Sequence, residues 1–199
     1  MKKLILIIIA LAVWYHFYYI KDAPKTGPGV YAGGGPYQDS TETESFQYKD
    51  SVLTKKATFS VTAKVLSAER YYFDRQASVS PLDLVLGWQE MSDESVLADI
   101  EISQSKRQYQ WKVKNNALST NEITQNSGNM HLIPASEQIG LQFKEIRNGD
   151  LLYINGFLVD VKTRSGWKWK TSFSRSDIGQ GSGEIIFVTE IEMIDPNEY

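Results

Sequence analysis

The run from Leu4 to Ile20 constrains this chain more than any other feature, because its seventeen residues carry no formal charge. As a helix they would extend about 25 Å, close to the ~30 Å hydrocarbon core of a bilayer. Lys2 and Lys3 precede the run, and five aromatic rings lie near its far end, where such rings favour the membrane interface. Residues 1–21 are therefore predicted to form a membrane anchor with the N-terminus in the cytoplasm.

A cleaved signal peptide is the alternative interpretation of the same residues. Ala10, Leu11 and Ala12 form a small-x-small sequence of the kind at which signal peptides are cut. Cleavage there would leave six strongly apolar residues in front of the site and would place Val13 and the aromatic residues after it at the new N-terminus. A segment this apolar would itself prefer a membrane, so the sequence favours an anchor that is not cleaved.

Residues 22–56 differ sharply in composition from the apolar run. They contain three prolines, a run of glycines at 33–35 and a polar stretch at 39–45, and so offer too little apolar surface to offset the entropy of ordering the chain. We predict a linker here. A single folded domain is predicted over residues 57–199, a length that suits one hydrophobic core.

The residue counts exclude several chemistries for this domain. The chain has no cysteine, which rules out disulfides, thiol nucleophiles and cysteine-bound metals, and its two histidines leave a single imidazole outside the apolar run. From residue 57 onward, 14 lysines and arginines face 19 acidic residues, a balance that argues against nucleic acid as a partner. The sequence gives no reason to expect a cofactor or a metal.

Alternating apolar and polar residues predict a mainly β domain. Phe59, Val61 and Val65 alternate with polar residues, which is the period of a strand with one buried face. Ser136 is a suitable N-cap for a helix. The predicted strands cover residues 58–65, 82–86, 100–113, 150–161, 167–173 and 184–193, the predicted helices cover 92–97 and 136–146, and a polar loop covers 115–128.

This order of elements resembles an OB-type barrel, a small five-stranded fold with a helix between its third and fourth strands. A strand that begins at Gly149 and Asp150 and contains Gly156 supports the resemblance, because an internal glycine allows a strand to coil around a barrel. A β-sandwich is the alternative architecture.

Two short sequences carry a second resemblance. Residues 129–134, NMHLIP, and residues 175–179, RSDIG, are similar to uncharacterised single-pass membrane-anchored proteins of bacteria. That resemblance brings no activity with it. Together with the orientation of the anchor, it implies a location in the bacterial inner membrane with the domain in the periplasm.

His131 is the side chain of the domain that ordinarily titrates near neutral pH, which makes it the candidate for acid–base chemistry. A hydrolase would use His131 as the general base, Ser127 or a serine from Ser174 to Ser182 as the nucleophile, and Asp177 to orient the imidazole. The spacing of these residues does not require this arrangement. A histidine that anchors a loop is the alternative interpretation.

Tryptophans alternate with basic residues in two segments of the domain. In a strand, neighbouring side chains point to opposite faces, so the rings and the cations would form separate surfaces. Outward rings would give a stacking platform beside a basic groove, whereas inward rings would belong to the core. The candidate ligand-binding residues are Trp111, Trp167, Lys168, Trp169, Lys170 and Arg175.

Three functions are consistent with these observations. The first is a membrane-anchored binding or assembly module that recognises a partner protein or an envelope glycan and has no enzymatic activity. The second is a membrane-tethered hydrolase built on His131. The third is a single-stranded nucleic-acid binder, against which the acidic balance of the domain argues.

Overall fold

A computed structural model describes residues 5–11, 26–173 and 183–198 of the chain. The protein is mainly β, with 47% of residues in strands and 19% in helices, and this confirms the fold class predicted from the alternating pattern.

Ten strands and several short helices form the described part. The strands are β1 (Tyr37–Ser40), β2 (Ser45–Tyr48), β3 (Ser51–Arg70), β4 (Leu82–Gly87), β5 (Ile100–Ser105), β6 (Gln108–Val113), β7 (Ser127–Pro134), β8 (Leu151–Thr163), β9 (Lys168–Trp169) and β10 (Glu184–Ile194). The helices are α1 (residues 5–11), α2 (Glu94–Leu97), α3 (Thr120–Asn126) and α4 (Glu137–Glu145), with 3₁₀ turns η1 (Gln89–Ser92) and η2 (Pro196–Glu198).

Five of the strands close into a ring in the order β3, β4, β7, β10, β8 and back to β3. Every pairing in the ring is antiparallel except β7 with β10, which is parallel. One face of each ring strand points inward and forms the main core. Core residues from the five strands include Phe59, Leu84, Met130, Ile186 and Ile154.

Gly156 lies where β8 crosses close to β10. A Cβ atom at this position would overlap the carbonyl oxygen of Phe187, so only glycine allows the two backbones to approach this closely. The pairing of β8 with β10 shifts register between Val188 and Glu190, beside the same contact. The close approach and the irregular register together bend the sheet at this point.

Helix α4 connects β7 to β8 and confirms the helix predicted after Ser136. The Ser136 side chain accepts a hydrogen bond from the backbone N–H of Ile139 at 3.2 Å, which satisfies one of the unpaired donors at the helix start. Ile139 and Phe143 are buried and belong to the main core, so the helix packs its apolar side against the ring.

The strand predicted over residues 100–113 is wrong in one respect, because the chain forms two strands there. β5 and β6 pair as a hairpin in a separate sheet, and Lys106 and Arg107 form its turn with φ angles of 51° and 66°. These left-handed angles usually mark Asn or Gly, and neither residue type is present at the turn to indicate it. The third strand of the ring is β7, which begins inside the predicted loop.

Helix α3 occupies most of the remaining part of that predicted loop. Ser119 and Glu122 form a capping box, in which the Ser119 side chain accepts from the backbone of Glu122 and the Glu122 carboxylate accepts from the backbone of Ser119. Residues 115–128 are mostly polar, yet they include a helix that buries Ile123, so the prediction of a loop is wrong over that helix.

Pairing with the ring begins earlier than residue 57, inside the segment predicted as a linker. β1 pairs with residues 57–60 of β3, β2 pairs with residues 51–54, and Ala32 is buried in the main core. Residues 22–25 of the predicted linker lie outside the described residues. The polar residues between Asp39 and Asp50 are nearly all exposed, which is why the composition of this segment resembles that of a linker.

The predicted anchor lies largely outside the described residues, which include its helical residues 5–11. Over residues 5–11, 26–173 and 183–198, no helix is both long enough and apolar enough to cross a membrane.

Candidate functional site

Buried polar side chains gather on the outer face of β4 and β7. Leu84 and Met130 point into the ring, so the alternate residues Asp83 and Asn129 point outward. Asp83 lies directly opposite His131 in the strand register, and the two residues are only 0% and 4% exposed. Charged groups are rarely buried without a partner, so the contacts of this pair define the site.

Arg107 supplies the main partner of Asp83 from the turn of the β5–β6 hairpin. Its Nη1 donates to Asp83 Oδ1 at 2.7 Å, and its Nε and Nη2 donate to the two carboxylate oxygens of Asp74 at 2.8 Å each. Nη2 also donates to the backbone carbonyl of Ser80 at 3.0 Å. The guanidinium therefore connects the hairpin, strand β4 and the loop of residues 71–81.

Tyr71 completes the enclosure of the guanidinium. The carbon centre of the Arg107 guanidinium lies 3.8 Å from the centre of the Tyr71 ring, and the Tyr71 hydroxyl accepts from the Arg107 backbone N–H at 2.9 Å. Burial raises the pKa of the Tyr71 phenol. The hydrogen bond from Arg107 lowers the pKa of Asp74, so that carboxyl group keeps its charge.

His131 is held between Asp83 and an aromatic ring. Its Nδ1 lies 2.8 Å from Asp83 Oδ2 at ion-pair distance, although the two groups are not aligned as a hydrogen bond. The imidazole packs against Trp169 with ring centres 4.7 Å apart. A Cβ atom at Gly183 would overlap His131 Nε2, so a glycine is needed beside the ring.

The predicted catalytic set is not assembled among the described residues. Ser127 precedes His131 by four positions in β7, and a strand of that length separates them by about 13 Å, well beyond a nucleophile–base hydrogen bond. The Ser127 hydroxyl instead donates to the backbone carbonyl of Ile123 at 2.7 Å. Asp177 and Arg175 lie outside the described residues.

Asn129 joins the hairpin to β7 beside Asp83 and His131. Its side-chain nitrogen donates to the Arg107 carbonyl at 2.9 Å, and its side-chain oxygen accepts from Gln104 Nε2 at 2.8 Å. Further along, the hydroxyls of Tyr109 and Ser127 lie 3.3 Å apart. The hairpin therefore covers the polar face of β4 and β7 with the chain's own side chains.

Two of the predicted tryptophans meet at one end of the ring, and the third lies elsewhere. Trp167 and Trp169 have ring centres 5.8 Å apart, and the guanidinium of Arg75 lies 5.8 Å above Trp167. Lys168 and Lys170 alternate with these rings and are exposed. Trp111 packs in a separate cluster with Met91, Ile100 and Ile123, so it is not part of the same surface.

The loop of residues 71–81 adds unpredicted aromatic rings to this end of the ring. Tyr72 and Phe73 are 67% and 100% exposed, and their ring centres lie 6.2 Å apart. We define the aromatic–basic end as the surface that carries Tyr72, Phe73, Arg75, Trp167, Lys168 and Lys170. Tyr72, Phe73 and Arg75 come from the loop of residues 71–81, and Trp167 and the two lysines come from the segment that follows β8.

Asp83 and Arg107 are the residues of the site that sequence reasoning missed. Asp83 offered a signal, because a charged residue inside the apolar run LDLVL marks a buried group that needs a partner. Arg107 offered none, since it lies among polar residues that suggest solvent exposure. Over the described ranges, no group of three or more acidic or histidine side chains could hold a metal ion.

Comparison of the chain with protein-family models, with curated proteins and with solved structures found no match.

Proposed function

We propose that this chain is a membrane-anchored binding module with an OB-type barrel, which docks a partner protein through the aromatic–basic end. The barrel assignment is supported by the ring order, in which the first strand pairs with the second and the fourth, and the third pairs in parallel with the fifth. Helix α4 lies between the third and fourth ring strands, the position expected for this fold.

The location of the binding surface follows from this assignment. Proteins with OB-type barrels bind ligands on the face of the second and third strands and with the loops after the first and fourth strands. Here the β5–β6 hairpin covers that face through Arg107, Gln104 and Asn129. The two loops remain, and the contact of Arg75 with Trp167 brings them together.

The exposure of Phe73 is the observation that carries the proposal. A phenylalanine that is 100% exposed buries no apolar surface in the folded domain and so does not stabilise it. Tyr72 beside it is also mostly exposed. Aromatic residues and arginine are the side chains that most often dominate the energy of protein interfaces. Arg75, Lys168 and Lys170 at the edge favour a partner whose apolar pocket is bordered by acidic residues.

Within the part of the chain that the structure describes, Ser127 and His131 form no nucleophile–base pair, which supports a binding role over a hydrolytic one. A serine that acts as nucleophile needs its base within hydrogen-bond distance, and Ser127 lies four positions away from His131 along one strand. Arg107 donates hydrogen bonds to both carboxylate oxygens of Asp74 and to one oxygen of Asp83, which is the pattern of a structural network.

Site-specific photo-crosslinking in intact cells tests this proposal. A photoreactive phenylalanine analogue at Phe73 should give a discrete protein adduct, because the ring would enter the partner's pocket. The same analogue at Leu141, an exposed residue of α4, is the matched control and should not give that adduct. Arg75→Glu should abolish the Phe73 adduct by repelling the acidic border. Identical adducts from both positions, or none from Phe73, would show that the end is not a docking surface.

A further inference from the structure

A second concave surface lies on the side of the ring formed by β3 and β8. Its volume is about 300 Å³, and it is bounded by residues 31–35 on one side and by Ser60, Thr62 and Tyr153 on the other. Tyr37 from β1 closes one end. The surface is distinct from the aromatic–basic end, because it uses the middle of β3, whereas the loop of residues 71–81 follows the end of that strand.

The cleft arises from a gap in strand pairing. β1 pairs with β3 at residues 57–60, and β4 pairs with it from Lys64 onward, so residues 61–63 face neither strand on that edge. The glycine run of residues 33–35 passes over the gap. A Cβ atom at Gly33 or Gly34 would meet no atom within 4 Å, so open space lies beside this segment.

The lining of the cleft has an unusual chemical character. The walls carry three phenols, from Tyr31, Tyr37 and Tyr153, and two aliphatic hydroxyls, while none of the ten lining residues has an ionisable carboxylate, amine or guanidinium. The ammonium of Lys64, 6.0 Å from the centre of the Tyr31 ring, is already paired with Glu94 at 2.7 Å and with the Thr26 hydroxyl at 2.9 Å. The Tyr37 hydroxyl donates to the Asp39 carboxylate at 3.3 Å, which adds a negative charge beside the cleft. An anionic ligand would therefore find no cation among the lining residues.

We propose that this cleft binds a neutral sugar residue of a glycan. A pyranose ring has apolar C–H faces and a rim of hydroxyls, and a tyrosine side chain offers an apolar ring face with a hydroxyl at its edge. A volume of about 300 Å³ is at the lower limit of small-molecule pockets, which suits one or two sugar rings. Tyr37 is 63% exposed, an area that burial in the fold does not explain and that a stacked sugar would cover.

Saturation-transfer NMR on the full chain tests this proposal, with a detergent that has no sugar headgroup. The probes are neutral disaccharides of glucose, galactose, mannose and N-acetylglucosamine, and a digalacturonate serves as the acidic counterpart. We expect saturable transfer to at least one neutral probe at concentrations on the order of 10 mM, and markedly weaker transfer to the acidic one.

Two variants remove the cleft by different means. Tyr37→Ala deletes an exposed ring and should weaken binding by about fivefold or more, which is typical for loss of one aromatic contact. Gly34→Phe places a ring where the backbone has open space and should block the cleft. Phe73→Ser on the aromatic–basic end should leave sugar binding unchanged, so that this proposal and the docking proposal fail independently.

The proposal is overturned if no neutral probe gives saturable transfer, or if the acidic probe binds as well as the neutral ones. It is also overturned if Tyr37→Ala, with an unchanged unfolding temperature, binds as tightly as the original chain. That comparison stands even where Gly34→Phe fails to fold.

Discussion

At the scale of single residues, the site depends on one arginine that donates hydrogen bonds to two carboxylates. Asp83 is fully buried, and Arg107 reaches it from another sheet, so removal of the guanidinium would leave a buried charge without its donor. The side chain also fixes Asp74 through a two-point contact that a lysine cannot reproduce.

Arg107→Lys should therefore lower the free energy of unfolding by roughly 2–4 kcal/mol, even though the charge is kept. Chemical denaturation of the purified chain measures the change. Lys106→Ala is the control, because Lys106 occupies the same turn and is exposed, so its replacement should stay within about 0.5 kcal/mol. Equal stability of the arginine and lysine forms would mean that the two-point contact of the guanidinium contributes no more to stability than a single positive charge.

A second residue-scale prediction concerns the pH dependence of stability. Burial raises the pKa of Asp150, whose carboxylate accepts from the Arg147 backbone N–H at 2.7 Å. A raised pKa means that the folded state disfavours the charged form, so this group reduces stability as pH rises through its folded pKa. Asp150→Asn keeps an acceptor for Arg147 and removes that penalty. The variant should therefore be more stable than the original chain at neutral pH. This advantage should disappear at pH values below the ordinary pKa of a carboxyl group.

Asp74→Asn provides a control of opposite sign, because its hydrogen bond with Arg107 lowers the pKa of Asp74. The stabilisation from this hydrogen bond is fully present above the pKa that Asp74 has in the unfolded chain. It is lost as pH falls through the lower pKa of Asp74 in the folded chain. The variant should be less stable than the original chain at neutral pH, and the difference should shrink in acid. Unfolding curves from pH 3 to 8 would refute both arguments if the two asparagine variants showed the same trend.

At the scale of elements, strands and helices with one buried face were predictable from the sequence. Elements without such a face were not. Residues 58–65 alternate cleanly and form part of β3, and Ser136 caps α4 as expected. β7 is buried over almost its whole length, because the core of the ring covers one face, while the hairpin, Trp169 and the apolar cluster around Val79 cover the other. A strand buried on both faces shows no alternation, and its polar start at Ser127 looked like the end of a loop.

The site was predictable in part for a related reason. Trp167, Trp169, Lys168 and His131 were singled out because their residue types carry chemistry, and the structure groups both tryptophans with the histidine. The partner of that histidine could not be found from spacing, since Asp83 lies in a different strand and meets it only through the register of β4 with β7. The position of Arg107 depends on a left-handed turn that contains no glycine or asparagine, so the sequence did not indicate it.

At the scale of the whole molecule, the two proposed surfaces belong to a domain that we propose is held at a membrane. The segment from Thr26 onward is already packed against the ring, since Lys64 of β3 donates to the Thr26 hydroxyl at 2.9 Å and Ala32 is buried in the main core. The chain between residue 21 and Thr26 is therefore short. An anchor over residues 1–21 would place the ring close to the bilayer surface, with little freedom to extend away from it.

Retention of the anchor is the prediction on which this arrangement depends. The intact mass of the protein recovered from membranes should correspond to a chain that keeps residues 1–21, because a chain cut after Ala12 would begin with an apolar aromatic segment. The protein should also resist extraction by alkaline carbonate, which removes peripheral proteins. A chain in which Ile9, Leu11 and Val13 are replaced by charged residues is the matched control, because these positions lie near the middle of the run from Leu4 to Ile20. Each charge at mid-bilayer depth costs about 2.5–3.5 kcal/mol on an insertion scale and should leave the protein extractable. A mature chain that starts at Val13 would contradict the anchor and release the domain from the membrane.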